Sequence, residues 1–254
     1  MNQLLNFPLV MFVVSFAAMC VVSAAGLRLR DRSARAGNAR SEDLDVIASA
    51  TLTLLALIIG FSFSMATNRY DQRKNFEENE ANAIGTEVLR ADLLPPADAA
   101  KVRVLLIAYL DQRILFYSNS DDTRQAQINR TTDKLEAELW AAVRGPVTAQ
   151  STPGTALALA GMNDVLNSRG YTQAAIWNRI PTAAWVLMVA IALCSNLLLG
   201  YGSRDSKAWR KLGLVLPLSV SISFLLIADI DAPQHGLIRV SPENLQSLAL
   251  SLKP

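Results

Sequence analysis

Residues 54–85 read LLALIIGFSFSMATNRYDQRKNFEENEANAIG. The stretch changes character at Thr67. Before it, the chain is uncharged back to Val46; after it, from Arg69 onward, charged residues are dense. A bilayer core is crossed by ~20 consecutive apolar residues in helical form. Val46 to Thr67 meets that requirement, and the segment beyond continues through Glu80 to Leu94, where Pro95-Pro96 break it. This predicts a membrane helix that runs on into water.

Three more uncharged runs flank this one: Phe7–Leu27, Pro181–Ser203 with Asn196 as its most polar member, and the shorter Leu212–Ala228 with Pro217 inside. The expected fold class is an all-α membrane protein, with four transmembrane helices and a helical-bundle insert between spans two and three. The expected domains are a transmembrane hairpin over 1–67 (spans 7–27 and 46–67), an extramembrane insert over 68–180, a second hairpin over 181–230 (spans 181–203 and 212–228) and a C-terminal tail over 231–254. Buried core helices of a soluble protein are the competing account of the runs. Run one lacks a basic residue before it, which favours a retained span, while Ser23-Ala24-Ala25 offers a leader-type cleavage site.

Composition agrees. Of 254 residues, 51% are apolar and 18% charged, against roughly 25% charged in an average soluble domain. A net charge of +2 is too small for a protein held to nucleic acid by phosphate contacts. One histidine, His235, and two cysteines, Cys20 and Cys194, leave little for a His/Cys metal site. Gly-rich phosphate loops, GxSxG elbows and HExxH pairs are missing, so no enzymatic activity is expected.

The insert reads as helices throughout. Val102, Leu105, Leu106, Tyr109 and Leu110 form an apolar stripe that Ile114 and Tyr117 extend. A further helix starts after Asp121-Asp122, carries Ile128, Leu135, Leu139 and Val143, and is expected to end at Gly145-Pro146. The last opens at Thr152-Pro153, runs through Leu159, Met162, Leu166 and Ile176, and is expected to enter span three at Pro181. From Arg69 to Arg179 there are 13 basic and 14 acidic residues, read as a solvated surface; Glu77, Glu78 and Glu80 are read as a solvated helix face.

Four spans put both termini and the insert on one side. The two short loops on the other side hold nine basic residues: Arg28, Arg30, Arg32, Arg35, Arg40, Arg204, Lys207, Arg210 and Lys211. Flanks on the insert side hold about six, from Arg69, Arg73 and Lys74 to Arg169, Arg179 and Arg239. The positive-inside rule therefore places the short loops in the cytoplasm and the insert outside.

Thr53, Leu57, Gly60, Phe61, Ser64 and Thr67 share one broad face of span two. Hydroxyls, a glycine and large apolar groups together can line a narrow pore, where an apolar constriction gates by dewetting. Alternatively, Ala56, Gly60 and Ser64 form a small-xxx-small pattern for helix packing. Arg69 at the end of the span either snorkels to headgroups or makes an electropositive pore mouth that concentrates anions. Asp229 and Asp231 either mark the membrane exit of span four or offer oxygens to a hard cation.

Gly60-Phe61, seven residues, then Arg69-Tyr70 resembles the second membrane helix of bestrophin anion channels. The wider pattern resembles the bacterial bestrophin-like family: GF-x-F-S from Gly60, R-Y-D-x-R from Arg69, E-A-N-A-I-G-T from Glu80, L-R-A-D-L-L-P from Leu89 and L-D-x-R from Leu110. Asn178-Arg179-Ile180-Pro181 and the segment Gly236 to Ser241 also fit. The resemblance implies a pentamer with span two around the axis. Phe61 and Leu57 would be its hydrophobic neck, although Leu57 stands where an aromatic is usual and Thr53 where an apolar group is usual. It also implies a calcium clasp near Asp229 and Asp231, and a cytoplasmic insert, opposite to the charge count.

These readings converge on an integral protein of the bacterial inner membrane. Its expected partners are the lipid bilayer, further copies of itself in a homo-oligomer, and anions or other small ions. The rival is a non-conducting sensor or scaffold whose insert binds a partner.

Overall fold

The computed structural model describes residues 7–35, 43–203 and 213–253. Among them all regular structure is helical: α1 Pro8–Arg35, α2 Asp43–Arg90, a 3-10 turn Ala91–Leu93, α3 Pro96–Ser118, α4 Asp122–Ala149, α5 Pro153–Trp177, α6 Thr182–Gly202, α7 Val215–Asp231 and α8 Glu243–Ser251. Three segments contain a window long and apolar enough to cross a membrane: Pro8–Arg35, Leu44–Leu93 and Pro153–Gly202. The fourth run forms α7, 17 residues or ~26 Å at 1.5 Å per residue, short of a ~30 Å hydrocarbon core.

The chain divides into two compact units, one of residues 1–68 and 179–238, the other of 69–178 and 239–254. In the first, α1 packs on α6 and α7. At one crossing Gly26 of α1 meets Gly200 of α6. A Cβ on Gly26 would collide with the Leu197 carbonyl, and one on Gly200 with the Ser23 carbonyl. Small residues let membrane helices approach backbone to backbone in this way. Trp185 and Phe224 fill the space between α6 and α7, edge to face with centroids 6.1 Å apart.

Arg28 to Arg35 are helical rather than loop, because α1 continues through Arg35 with Arg32 and Arg35 in its last turn, where cations meet the negative end of the helix dipole. Arg30 Nη1 reaches the Ser203 carbonyl at 2.9 Å. Arg40, Arg204, Lys207, Arg210 and Lys211 lie outside the described residues, as does Leu212 at the start of run four.

The second unit closes around Ile84, Val102, Leu106, Tyr109, Leu139 and Val165, with Leu245 of α8 in the same core. The stripes predicted for α3 and α4 supply Val102, Leu106, Tyr109, Leu110, Leu139 and Val143, all buried. Asp121 caps α4, accepting the Arg124 N–H at 2.7 Å. Thr152 and Thr155 form a reciprocal capping box at α5, with Pro153 in its first turn.

Two helix ends differ from expectation. Gly145-Pro146 do not end α4, which runs to Ala149. Pro146 lies in the final turn and costs the one ladder bond that its missing N–H would give to the Ala142 carbonyl, while its own carbonyl accepts the Gln150 N–H at 2.9 Å. Nor does α5 enter span three. It stops at Trp177, and Asn178–Pro181 separate it from α6, because the residue before a proline is steered away from helical backbone.

Candidate functional site

α2 is one helix of 48 residues with two chemically distinct halves. In its apolar half, Ala48, Leu55, Ser62 and Ala66 face inward and are buried. Thr53, Leu57, Gly60, Phe61 and Ser64 are all exposed. Phe61 is 64% and Leu57 53% exposed, so the chain leaves these two large apolar side chains uncovered. A Cβ at Gly60 would meet nothing within 4 Å, so no close packing within the described chain demands a glycine there. The Thr53 hydroxyl donates to the Ser49 carbonyl at 2.9 Å and that of Thr67 to Phe63 at 3.0 Å. Their hydrogens are held by the helix while oxygen lone pairs remain available. Beside this face a groove of about 490 Å³ runs between α2 and α7, lined by Ile59, Gly60, Phe63, Val220 and Leu226.

Arg69 begins the second unit and is partly buried. Its carbonyl accepts the Arg73 Nε–H at 3.2 Å. From there α2 turns polar inward. Glu77 and Glu80 are buried at 1% and 0% exposure, which corrects the solvated-face reading; only Glu78 is exposed. Glu80 forms an ion pair with Arg113 of α3, and a second guanidinium nitrogen lies 3.3 Å from Glu80 Oε2. Tyr117 and Thr172 donate hydroxyls to the same oxygen at 3.3 and 3.2 Å. Arg113 also stacks over the Phe116 ring, 4.3 Å from its centroid. Burial works to lower the Arg113 pKa, but Glu80 together with the Tyr109 and Tyr117 groups holds it above its usual value, while burial and the Glu80 charge raise that of Tyr117.

Glu77 fastens the C-terminal segment: its oxygens accept the Leu245 N–H at 3.0 Å and the Asn244 side-chain amide at 2.6 Å. Elsewhere in the unit Arg169 of α5 bridges Asp133 and Glu136 of α4, each at 2.7 Å. The near-cancelling charges of the insert are therefore partly internal. The sequence did carry a signal for this: Glu77, Glu80, Ile84 and Glu87 recur at helical spacing on the face that holds the core.

Asp229 and Asp231 work as backbone staples in the first unit. Asp229 accepts the Leu237 and Ile238 N–H groups at 2.7 and 2.8 Å. Both oxygens of Asp231 lie 3.1 Å from the Ile180 N–H, and Arg179 Nε donates to the Asp231 carbonyl at 3.1 Å. Gly236 sits where a Cβ would collide with the Asp229 carbonyl, which fixes the turn after α7. The His235 ring lies near that of Phe7, 6.3 Å between centroids. Calcium takes 6–8 oxygen ligands. Here the carboxylates are engaged by N–H donors, and no cluster of three or more metal-ligating side chains occurs among the described residues.

The Bestrophin-like domain matches residues 11–245. The chain belongs to the Bestrophin-like family. A bacterial bestrophin homologue from Klebsiella pneumoniae shares its fold. One crystal structure, of a point mutant, superposes with a TM-score of 0.68 at 13% identity, covering 95% of this chain and 97% of the other. A second gives 0.66 at 13% identity, covering 95% and 99%. A crystal structure described as a membrane protein gives 0.66 at 12% identity, covering 94% and 98%. No curated protein matches the sequence at a significant level. In this Bestrophin-like chain the buried ion pair joins two of the quoted motifs, Glu80 of E-A-N-A-I-G-T and Arg113 of L-D-x-R. Its apolar helices point to an integral membrane location.

Proposed function

We propose that this protein is an oligomeric membrane channel for anions or other small ions, with the Thr53, Leu57, Gly60, Phe61 and Ser64 face of α2 lining the conduit. One observation carries the reading. Within a bestrophin fold, this face is left bare by its own chain while the opposite face of the same helix is buried. Bare apolar side chains on a helix of this kind are covered by lipid or by further copies, and a ring of copies turned inward makes a constriction that gates by dewetting. Gly60, free of intrachain contact, leaves room for a neighbour or for the conduit. Arg69, just past the apolar half, forms the positive mouth.

In this reading four helices cross the bacterial inner membrane as two hairpins, α1 with α2 and α6 with α7, and α7 spans where the bilayer thins locally. Residues 68–180 form the insert, which the charge count places outside. The particle should be a closed ring, a pentamer on the family resemblance. Native mass spectrometry and particle imaging of the purified protein should show one symmetric ring with α2 toward its axis. A monomer or dimer, together with liposomes no leakier than empty ones, would leave the non-conducting scaffold as the function.

A further inference from the structure

Glu87 is the one acidic side chain of the α2 core face with no partner accounted for by the fold: it is 0% exposed, and neither carboxylate oxygen has a hydrogen-bond partner among the described residues. It faces α5 at Gly161, where a Cβ would collide with Glu87 Oε2 and with Arg90 Nη1. The charged groups acting on it are Arg90, one turn on along α2, and Asp164 of α5. These two lie 3.8 Å apart at the rim of the contact. Val88 and Ala91, its neighbours along the chain, belong to the apolar core that also holds Val102 and Leu106 of α3 and Ala158 and Met162 of α5.

A buried carboxylate without a donor is costly when ionised and tolerable when protonated. We propose that Glu87 is a proton-operated latch between α2 and α5: protonated, it lets α5 close onto α2 at Gly161; ionised, it draws Arg90 away from Asp164 and loosens the seam. Burial pushes the Glu87 carboxyl up to about 8, against the pull of Arg90. The sign follows from linkage. The folded protein holds this proton where the unfolded chain has released it, so the stability due to the closed seam is fully present below the ordinary carboxylate range. It falls progressively as pH rises from that range to about 8, and is gone above it. The latch stands apart from conduction: it is a property of the second unit whether or not the protein passes ions.

The test uses the full chain in lipid nanodiscs and compares the parent with Glu87→Gln, which imitates the protonated form. Difference infrared spectra should show a protonated carboxyl C=O band at neutral pH that disappears with a midpoint near pH 8 in the parent and is missing from the variant. A midpoint in the ordinary carboxylate range for the band that Glu87→Gln removes overturns the proposal. Hydrogen exchange over residues 158–166, corrected for the intrinsic effect of pH, should rise roughly fivefold or more from about pH 6.5 to pH 9 in the parent. It should stay level in Glu87→Gln. An equal rise in both proteins also overturns the latch.

Discussion

Glu80 and Arg113 form the contact of highest consequence for a single residue. Both are about fully buried, so each has lost its water and depends on the other. Removing one partner of a buried pair costs ~3–5 kcal/mol, whereas replacing both by apolar groups of similar size is often neutral. Glu80→Leu and Arg113→Met should each lower the melting temperature of the purified protein sharply, and the two combined should recover most of the loss. Additive losses in the double variant would show that the two residues act separately. This pair marks the limit of sequence reading at the residue scale. The helical spacing of Glu77, Glu80 and Ile84 was visible, but that Arg113 would stand opposite depends on how α3 docks on α2. A carboxylate looks the same in the sequence whether it meets water or a guanidinium.

At the scale of elements, periodicity did most of the work. Most of the stripe residues of α3 and α4 are buried and Leu105, Ile114, Tyr117 and Leu135 are half-buried against the same core, and α2 runs unbroken across the change from apolar to polar sequence. Periodicity could not show where two helices touch. Gly60, in a small-xxx-small pattern, reads as a packing site yet faces open space, while the tight crossing falls at Gly26 and Gly200. The pattern marks candidates, and only the arrangement of α1 and α6 chooses among them. Likewise residues 231–254 read as a tail, because no sequence period ties Leu245 to Glu77. Gly200→Val drives a branched side chain into the Ser23 carbonyl, and overpacking of this kind costs ~1–3 kcal/mol or more. Gly60→Ala adds a methyl group to free space within the chain. Thermal unfolding in detergent should show a marked loss for the first and little change for the second. Equal losses would mean that the Gly26–Gly200 crossing does not hold α1 to α6.

For the whole molecule, motif spacing identified the family, which the match over residues 11–245 establishes, and the fold follows it. Orientation rests on charge. Ser120, exposed between α3 and α4, replaced by cysteine should react with an impermeant thiol reagent on intact cells if the positive-inside count holds; labelling only after lysis would place the insert in the cytoplasm. The parent carries Cys20 and Cys194, so the comparison is made against unsubstituted protein. The central claim, conduction along α2, is tested most directly by ion flux in liposomes with the parent, Phe61→Ala and Arg69→Glu, each shown to be folded and inserted. The account predicts flux through the parent. Phe61→Ala should raise it and reduce discrimination between ions, since a smaller side chain keeps the constriction wet. Arg69→Glu should lower anion flux by an amount that shrinks in high salt, where exposed charges are screened beyond ~10 Å at about 0.1 M. Liposomes that stay as tight as empty ones with all three proteins would contradict it.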